Sequence, residues 1–158
     1  IDCQIETDLA ILIPESYITN ISERLGLYNS LDNLKNDTEL EAFRSELSDR
    51  FGPMPSEVTD MIEIVKVRWK AEEIGFEKLS LKNNTLKATF VSPENETYYK
   101  SDKFGKVLDY VKANPRRLAL RDVKGKAILQ VENIQSIKDL DGILSGILLT
   151  FKAFAEVV

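Results

Sequence analysis

The sequence is poor in the residues that most enzyme active sites use. It contains no histidine and a single cysteine, Cys3, among 158 residues. Serine triads, cysteine–histidine pairs and most catalytic zinc sites need an imidazole, so these chemistries are excluded within this chain. One cysteine cannot form an internal disulfide, which predicts a reducing compartment, the cytoplasm. We therefore expect no catalytic residues and no metal site in this chain, which by itself is not expected to be an enzyme.

Phosphate-binding loops and long apolar runs are also missing. The seven glycines are scattered, and neither G-x-x-x-x-G-K-[ST] nor G-x-G-x-x-G occurs, so we expect no nucleotide cofactor. The longest apolar run, Gly142 to Phe151, is far shorter than the roughly 20 residues that span a bilayer. No basic region precedes an apolar one at the start, so no signal peptide is expected. The chain begins at Ile1 rather than Met, which fits a segment from inside a longer protein.

The charges that are present are unevenly distributed along the chain. The net charge is −5. Up to Glu77 there are 17 Asp and Glu against 7 Lys and Arg, whereas from Lys78 onward there are 9 against 14. An acidic first half is thus followed by a basic second half. The overall acidity argues against wrapping on nucleic acid, because phosphate neutralisation needs an excess of Lys and Arg.

The first 35 residues predict one strand and one helix. The segment from Cys3 to Ile13 alternates partly and ends in an apolar run, which predicts a strand that Pro14 stops. Asn20 with Glu23 three residues later has the pattern of a capping box, which predicts the start of a helix. One apolar stripe of this helix, at helical spacing, consists of Ile21, Leu25, Tyr28, Leu31 and Leu34.

Two more helices are predicted before the pattern changes. Thr38 with Glu41 is a second capping-box pair, and Gly52 lies where a left-handed helix end is typical. The core stripe predicted for this second helix consists of Leu40, Phe43, Leu47 and Phe51. A third helix is predicted from Ser56 to Ile74, with Gly75 as its stop, and it is apolar on two flanks. A helix of this kind is usually packed from both sides.

After Gly75 the pattern favours a small sheet with helices. The predicted strands are Lys78 to Leu81, Leu86 to Val91, Glu96 to Lys100, Leu118 to Val123 and Ala127 to Val131, and the predicted helices are Lys103 to Ala113 and one that Ser136 opens. We therefore predict an α+β fold: an N-terminal strand, a three-helix layer, then a small, mostly antiparallel sheet with two further helices.

The most specific stretch of the sequence runs from Glu46 to Gly52. Glu46 and Arg50 form an i,i+4 pair in the favourable order, and Glu46 and Asp49 flank the apolar stripe on the same side. Asp49 is close to the predicted C-terminus of its helix, where the helix dipole disfavours a negative charge. This mismatch hints at a role outside helix stability, although a solvated helix end fits the same residues.

Several blocks of the sequence resemble one protein family. These blocks are Pro14 to Ile18, Arg24-Leu25, Leu27-Tyr28, Thr38 to Leu47, and Asp49 to Gly52 with Pro55. In order and spacing they are similar to the C-terminal domain of bacterial transcription-repair coupling factors (Mfd), and the resemblance covers about Leu12 to Lys78. One departure is Gly26, which weakens the first helix and bears on stability rather than on the assignment.

The resemblance implies a regulatory role. Members of the family are multi-domain proteins that use ATP to translocate on duplex DNA, displace stalled RNA polymerase and recruit the excision-repair protein UvrA. Their C-terminal domain is regarded as autoinhibitory: it docks on the N-terminal UvrB-like module and masks the surface that UvrA needs. The resemblance places Glu46, Asp49 and Arg50 in the docking surface.

The resemblance also implies a domain organisation. Residues 1–13 are expected to form a strand and linker from a preceding motor domain. Residues 14–158 are expected to form a single regulatory domain with a helical half, 14–76, and a sheet-plus-helix half, 77–158. We expect this domain to be a monomer that binds neither nucleic acid nor a membrane.

A nucleic-acid-binding accessory module is the alternative. It would use the basic second half, with cations lining one face of a hairpin and two tyrosines nearby. The residues concerned are Arg116, Arg117, Arg121, Lys124, Lys126, Tyr98 and Tyr99. A plain soluble surface accounts for the same residues, and we favour it.

Overall fold

The chain forms two compact units in a computed structural model, which describes residues 2–156, with side chains up to residue 152. One unit, Ala10–Lys66, contains only helices and is called the helical unit below. The other comprises the residues up to Leu9 and from Val67 onward, and is called the sheet unit. The α+β class predicted from the sequence is confirmed.

The helical unit is built from three consecutive helices. These are α1 (Ile21–Asp32), α2 (Asp37–Phe51) and the first part of α3 (Ser56–Ile74). The predicted cap of α1 is confirmed, because the side chain of Asn20 accepts a hydrogen bond of 3.0 Å from the Glu23 amide. Gly52 ends α2 at φ 85°, in the left-handed region, as the sequence predicted.

The predicted start of α2 was wrong by two residues. The cap is Asn36, whose side chain accepts from the Glu39 amide at 2.9 Å, while the Glu39 carboxylate accepts from the Lys35 amide at 2.7 Å. Asn is as good a cap as Thr, and this start places Asp37 and Glu39 in the first turn, where the helix dipole favours carboxylates.

The apolar stripe of α1 is only partly buried. Leu31 is buried, but Ile21 and Leu25 are 64% and 62% exposed. Glu23 and Leu27 lie instead on the side of α1 that borders α2. Helical spacing shows which side chains share a face of a helix, but the packing of α1 on α2 decides which face is covered.

The sheet unit contains a five-stranded sheet with the order β1-β2-β3-β5-β4. Its strands are β1 (Gln4–Thr7), β2 (Phe76–Lys82), β3 (Thr85–Phe90), β4 (Leu118–Val123) and β5 (Lys126–Val131). β1 pairs parallel to β2, and all other pairs are antiparallel, which confirms the mostly antiparallel sheet. The β2–β3 turn has positive φ at Asn83 and Asn84, which matches the right-handed twist of a hairpin.

The N-terminal strand is much shorter than the sequence predicted. β1 ends at Thr7, and the following apolar run up to Ile13 lies outside the sheet. The partner strand explains this end, because Thr7 pairs with Leu81, just before β2 turns. The Asp8 carboxylate then accepts a 2.9 Å hydrogen bond from the amide of Asn83 in that turn. Beyond this point β2 offers no further edge for pairing.

The segment predicted as a third short strand is a helix. α4 (Glu96–Lys100) begins after Asn95, whose side chain accepts from the Tyr98 amide at 3.1 Å. Three helices, α4, α5 (Lys103–Ala113) and α6 (Ile137–Glu156), therefore follow α3 rather than two. The polar cap at Asn95 favours a helix here, although Tyr98 and Tyr99 are residue types that are common in strands.

Candidate docking surface

Two buried side chains fix the end of α2 on which the predicted docking residues lie. Phe43 is 7% exposed and Leu47 is 1% exposed. The hydroxyl of Tyr17 donates to the carbonyl of Gly52 at 2.8 Å and lies 3.3 Å from that of Leu47. The buried side chains and the Tyr17 hydrogen bonds thus fix the last turn of α2, and the polar residues of this turn are exposed to solvent.

Arg50 is held by its own unit. Its Nη2 lies 2.8 Å from Oε1 of Glu23 on α1, and its Nη1 lies 3.7 Å from Oε1 of Glu46. The guanidinium carbon also lies 4.8 Å from the centre of the Phe51 ring. One planar cation thus joins two carboxylates and one aromatic ring. Because these side chains are 42–63% exposed, each ion pair contributes no more than about 1 kcal/mol.

Asp49 differs from Glu46 and Arg50 in having no ion-pair partner among the described residues. It is exposed, and its side chain makes no hydrogen bond or ion pair with any residue that the structure describes. It also lies in the last turn of α2, near the negative end of the helix dipole, where a carboxylate is disfavoured. A cationic group from outside the unit would relieve this local excess of negative charge.

The structure brings all three predicted residues to one surface and adds Glu23 to it. Glu23 is 27 positions from Arg50 in the sequence, so no local pattern linked the two. The sequence singled out Glu23 only as a capping residue. An exposed carboxylate that pairs with a distant arginine becomes visible only when the packing of α1 against α2 is known.

A groove runs between α1 and α2 beside these residues. Its volume is about 310 Å³, and it is lined by Glu23, Gly26, Leu27, Ser30, Phe43, Glu46 and Arg50. Leu27 and Phe43 supply apolar surface, while Glu23 and Glu46 supply carboxylates. The groove therefore combines an apolar wall with two carboxylates, both of which Arg50 pairs.

The basic cluster of the alternative hypothesis is partly engaged elsewhere. Tyr98 is buried and donates to the carbonyl of Ile74 at 2.9 Å, and Tyr99 donates to that of Val91 at 2.6 Å. Arg117 donates to two backbone carbonyls and to Asp139, and Lys126 pairs with Glu77. Arg116, Arg121 and Lys124 stay exposed. Tyr98 is therefore too buried to stack on a base, while Tyr99 is half-buried.

Within residues 2–156, no group of three or more His, Cys, Asp or Glu is arranged to hold a metal ion. No helix in the same range has both the length and the apolar character needed to cross a membrane.

The comparisons with known proteins agree on one family. The TRCF domain family matches residues 7–101. The transcription-repair-coupling factor of Rickettsia bellii is 28% identical over 138 residues, covering 82% of this chain and 12% of that protein. That of Rickettsia conorii is 32% identical over 107 residues, covering 68% of this chain and 9% of that protein. That of Escherichia coli K12 is 32% identical over 76 residues, covering 48% of this chain and 7% of that protein. The chain thus spans about a tenth of the length of these relatives.

A solved structure shares the fold. The crystal structure of the C-terminal domain of a transcription-repair coupling factor superposes with a TM-score of 0.69. The superposition covers 99% of this chain and 93% of that one, at 22% sequence identity. Nearly the whole chain therefore has the architecture of that domain.

Proposed function

Because this chain belongs to the transcription-repair coupling factor family, we propose that it is the autoinhibitory, regulatory C-terminal domain of such a protein. It docks on the N-terminal UvrB-like module of the same protein and masks the surface that UvrA needs. The parent protein is an ATP-dependent DNA translocase that displaces stalled RNA polymerase and recruits UvrA for nucleotide excision repair. The domain itself contributes no catalytic residue and acts in the cytoplasm as a monomer.

One observation carries the proposal, namely the exposed acidic end of α2. Glu46 and Asp49 lie on a helix end that the buried Leu47 and the Tyr17 hydrogen bonds hold in place. Asp49 has no counter-charge among the described residues. A rigid surface with an exposed carboxylate that has no protein counter-charge within the described residues suits charge-assisted hydrogen bonds to arginine side chains of a partner.

Electrostatics of the whole helical unit favour a basic partner face. Within residues 10–66, 11 Asp and Glu outnumber 5 Lys and Arg. An excess of one sign over a surface speeds association with a surface of the opposite sign. A docking free energy of about 2–3 kcal/mol would lower the affinity of the parent for UvrA about 30- to 150-fold and still be releasable.

The test compares two double variants of this chain for binding to the separately produced UvrB-like module. Replacing Glu46 and Asp49 by alanine should raise the Kd at least about tenfold, which corresponds to about 1.4 kcal/mol. The matched control replaces Glu15 and Asp32, two other exposed acidic residues of the helical unit, and changes the net charge equally. We expect the control to stay within about threefold of wild type, since distant charges are screened.

Calorimetry gives both Kd values, and thermal melting shows whether each variant is folded. Equal losses in both double variants would mean that only net charge matters, and would reject this end of α2 as the docking surface. In the full-length parent, the Glu46 and Asp49 replacements should increase UvrA binding. Unchanged UvrA binding in that protein would reject autoinhibition even if docking were observed.

A further inference from the structure

β4 forms one edge of the five-stranded sheet, and this edge is exposed. β4 is the last strand in the order β1-β2-β3-β5-β4 and pairs with β5. Its first residue, Leu118, is buried, and the residues from Ala119 to Val123 are exposed. The apolar side chains of Leu120 and Val123 are 37% and 45% exposed. An exposed edge of this kind accepts a further strand unless charge, proline or a covering element prevents it.

The backbone groups of Leu120 and Asp122 point out of the sheet at this edge. In an antiparallel pair, residues that bond the neighbouring strand alternate with residues whose amide and carbonyl point away from it. The Glu132 amide donates to the Arg117 carbonyl at 3.0 Å, so Arg117 is of the first kind, and so is Arg121 four residues later. Leu120 and Asp122 are therefore of the second kind. Neither amide has an acceptor among the residues that the structure describes.

Local hydrogen bonds limit the edge at both ends. The amide of Leu118 also points outward, but it donates to the carbonyl of Asn114 at 3.1 Å. At the other end the chain turns at Lys124 and Gly125, and the Gly125 amide donates to the Asp122 carboxylate at 3.1 Å. The two residues between these ends each keep one backbone donor and one acceptor. A short extended segment can bond to both.

The two faces of β4 differ in chemistry. Leu120 pairs with Leu129 of β5, which is fully buried, so these two side chains lie on the core face of the sheet. Arg121 points to the opposite face, because successive side chains of a strand alternate. This opposite face is polar, and its neighbouring strands contribute Lys87 and Gln130, which pair across β3 and β5. An added strand would therefore continue an apolar face on one side and a polar face on the other.

Positive charge surrounds the edge. Arg121 lies in the middle of β4, Arg116 lies two residues before the strand, and Lys124 directly follows it. These three cations are exposed and form no ion pair within the described part of the chain, whereas Arg117 and Lys126 do. Like charges that face each other across strands are destabilising. The edge therefore disfavours a basic strand, disfavours pairing with a second copy of β4, and favours an acidic strand.

We propose that β4 binds an extended acidic segment of another protein, which adds to the sheet as a further strand. Leu120 and Asp122 exchange backbone hydrogen bonds with this segment. The residue of the segment opposite Arg121 is acidic and lies on the polar face, and the residue opposite Leu120 is apolar and lies on the core face. This surface belongs to the sheet unit, and the proposal does not depend on the docking residues of α2.

Three synthetic peptides test the strand and its charge. The first is an end-blocked peptide of about nine residues, long for a strand, in which valine and glutamate alternate. The second has lysine in place of glutamate. The third is the glutamate peptide methylated at its valine amides, which are the donors that face β4 when valine lies on the core face. Fluorescence anisotropy of dye-labelled peptides gives the Kd of each for this chain.

The glutamate peptide should bind at least about tenfold more tightly than the lysine peptide. Methylation should raise its Kd at least about tenfold, because the charges and side chains are kept while the backbone donors are lost. Equal binding of the methylated peptide would reject strand addition. Absence of binding of the glutamate peptide at about 1 mM would reject the proposal outright.

Charge reversal on β4 tests the role of Arg121. Arg121→Glu should raise the Kd of the glutamate peptide at least about fivefold and make the lysine peptide the tighter ligand, because a favourable cross-strand pair becomes a repulsive one. Lys82→Glu is the matched control. It makes the same change at an exposed residue of β2, three strands or about 14 Å away, where salt screens the charge. Equal effects in both variants would mean that only net charge attracts the peptide and would overturn the proposal.

Amide hydrogen exchange locates the peptide and shows that each variant is folded. With the glutamate peptide at saturation, the amides of Leu120 and Asp122 should exchange at least about tenfold more slowly, whereas that of Arg121 already bonds to β5 and should not change. Binding without this alternating protection would place the peptide elsewhere and overturn the proposal. Protection of the same amides in the free chain that rises with chain concentration would identify a second copy as the occupant and would also overturn it.

Discussion

Gly75 shows how a single residue allows two elements to meet. It lies between α3 and β2 at φ 112°, which side chains rarely adopt. A Cβ built there would lie 2.1 Å from a ring atom of Tyr98, whose hydroxyl donates to the adjacent carbonyl of Ile74. Both the backbone conformation and the space therefore require glycine. The sequence predicted Gly75 as a helix stop, but the close approach of a ring was not visible in it.

Replacing Gly75 by alanine should lower the free energy of unfolding by about 2–4 kcal/mol, combining backbone strain with overpacking. Urea unfolding followed by the fluorescence of Trp69, the only tryptophan, measures this loss. Gly125→Ala is the control, because φ is 81° there but nothing lies within 4 Å. It should cost only the strain, about 1–2 kcal/mol. An equal loss in both variants would show that the Tyr98 ring yields freely.

Cys3 is a buried thiol of low reactivity. It is 3% exposed, and burial first and the carboxylate of Glu72 second raise its pKa from 9.0 to about 11. A raised pKa means that its contribution to stability is complete below pH 9 and is lost as the pH rises through 11. The thiol therefore stays protonated at neutral pH.

Alkylation by iodoacetamide at pH 8 tests this. We expect the rate in the folded chain to be at least about a hundredfold below that of the urea-unfolded chain, because the thiolate fraction is lower by that factor. The unfolded chain is the internal control, since it contains the same single cysteine. Similar rates in the two states would contradict a buried, protonated thiol.

Arg117 connects three elements of the sheet unit through hydrogen bonds. Next to the start of β4, it donates to the carbonyls of Glu132 and Asn133 after β5 and to the carboxylate of Asp139 in the first turn of α6. Asp139 also accepts from the Gln135 amide. The hydrogen bond from Arg117 is the main reason that the pKa of Asp139 lies below its ordinary value. The alternative hypothesis, in which Arg117 lines a nucleic-acid surface, overlooked these partners.

The pair should stabilise the fold, and its contribution should depend on pH. A double-mutant cycle of Arg117→Met and Asp139→Asn should give a coupling energy of about 1 kcal/mol at pH 7, since both side chains are partly exposed. A carboxyl group whose pKa is lowered by folding stabilises the folded state at pH values above its pKa in the unfolded chain, about 3.9. This stabilisation is lost as the pH falls through the pKa of the folded state. Arg117→Met should therefore lose less stability than wild type as the pH falls below about 4, measured by urea unfolding. Parallel pH profiles would contradict the pairing.

For the whole molecule, the separation of charge follows the division into units. More than half of the acidic excess of the first half lies in the helical unit, and the exposed Arg116, Arg121 and Lys124 lie in the sheet unit. Both tyrosines of the hypothetical nucleic-acid surface are hydrogen-bonded to backbone carbonyls. The three exposed cations of that hypothetical surface can make only a few phosphate contacts.

We therefore expect the chain not to shift duplex or single-stranded DNA in a gel at 50 mM salt and micromolar protein. The variant with Arg116, Arg121 and Lys124 changed to glutamine is the control for any weak binding. A shift that fades with rising salt and disappears in this variant would restore the nucleic-acid alternative.

Local signals determined much of this fold. The helix boundaries at Asn20, Gly52 and Gly75 follow from capping chemistry and left-handed glycine, and the Asn83-Asn84 turn follows from its tolerance of positive φ. These features depend on a few neighbouring residues, so the sequence is sufficient to predict them. The family resemblance likewise rested on short blocks.

Only the tertiary structure decided which faces are covered and which charges meet. β1 ends where β2 turns, Ile21 and Leu25 stay exposed, and Glu23 reaches Arg50 across 27 positions. Each of these depends on a partner that is distant in sequence, and periodicity carries no information about such partners. The sequence thus indicated the docking residues Glu46, Asp49 and Arg50, which remain a proposal. The packing of α1 on α2 revealed the groove beside them.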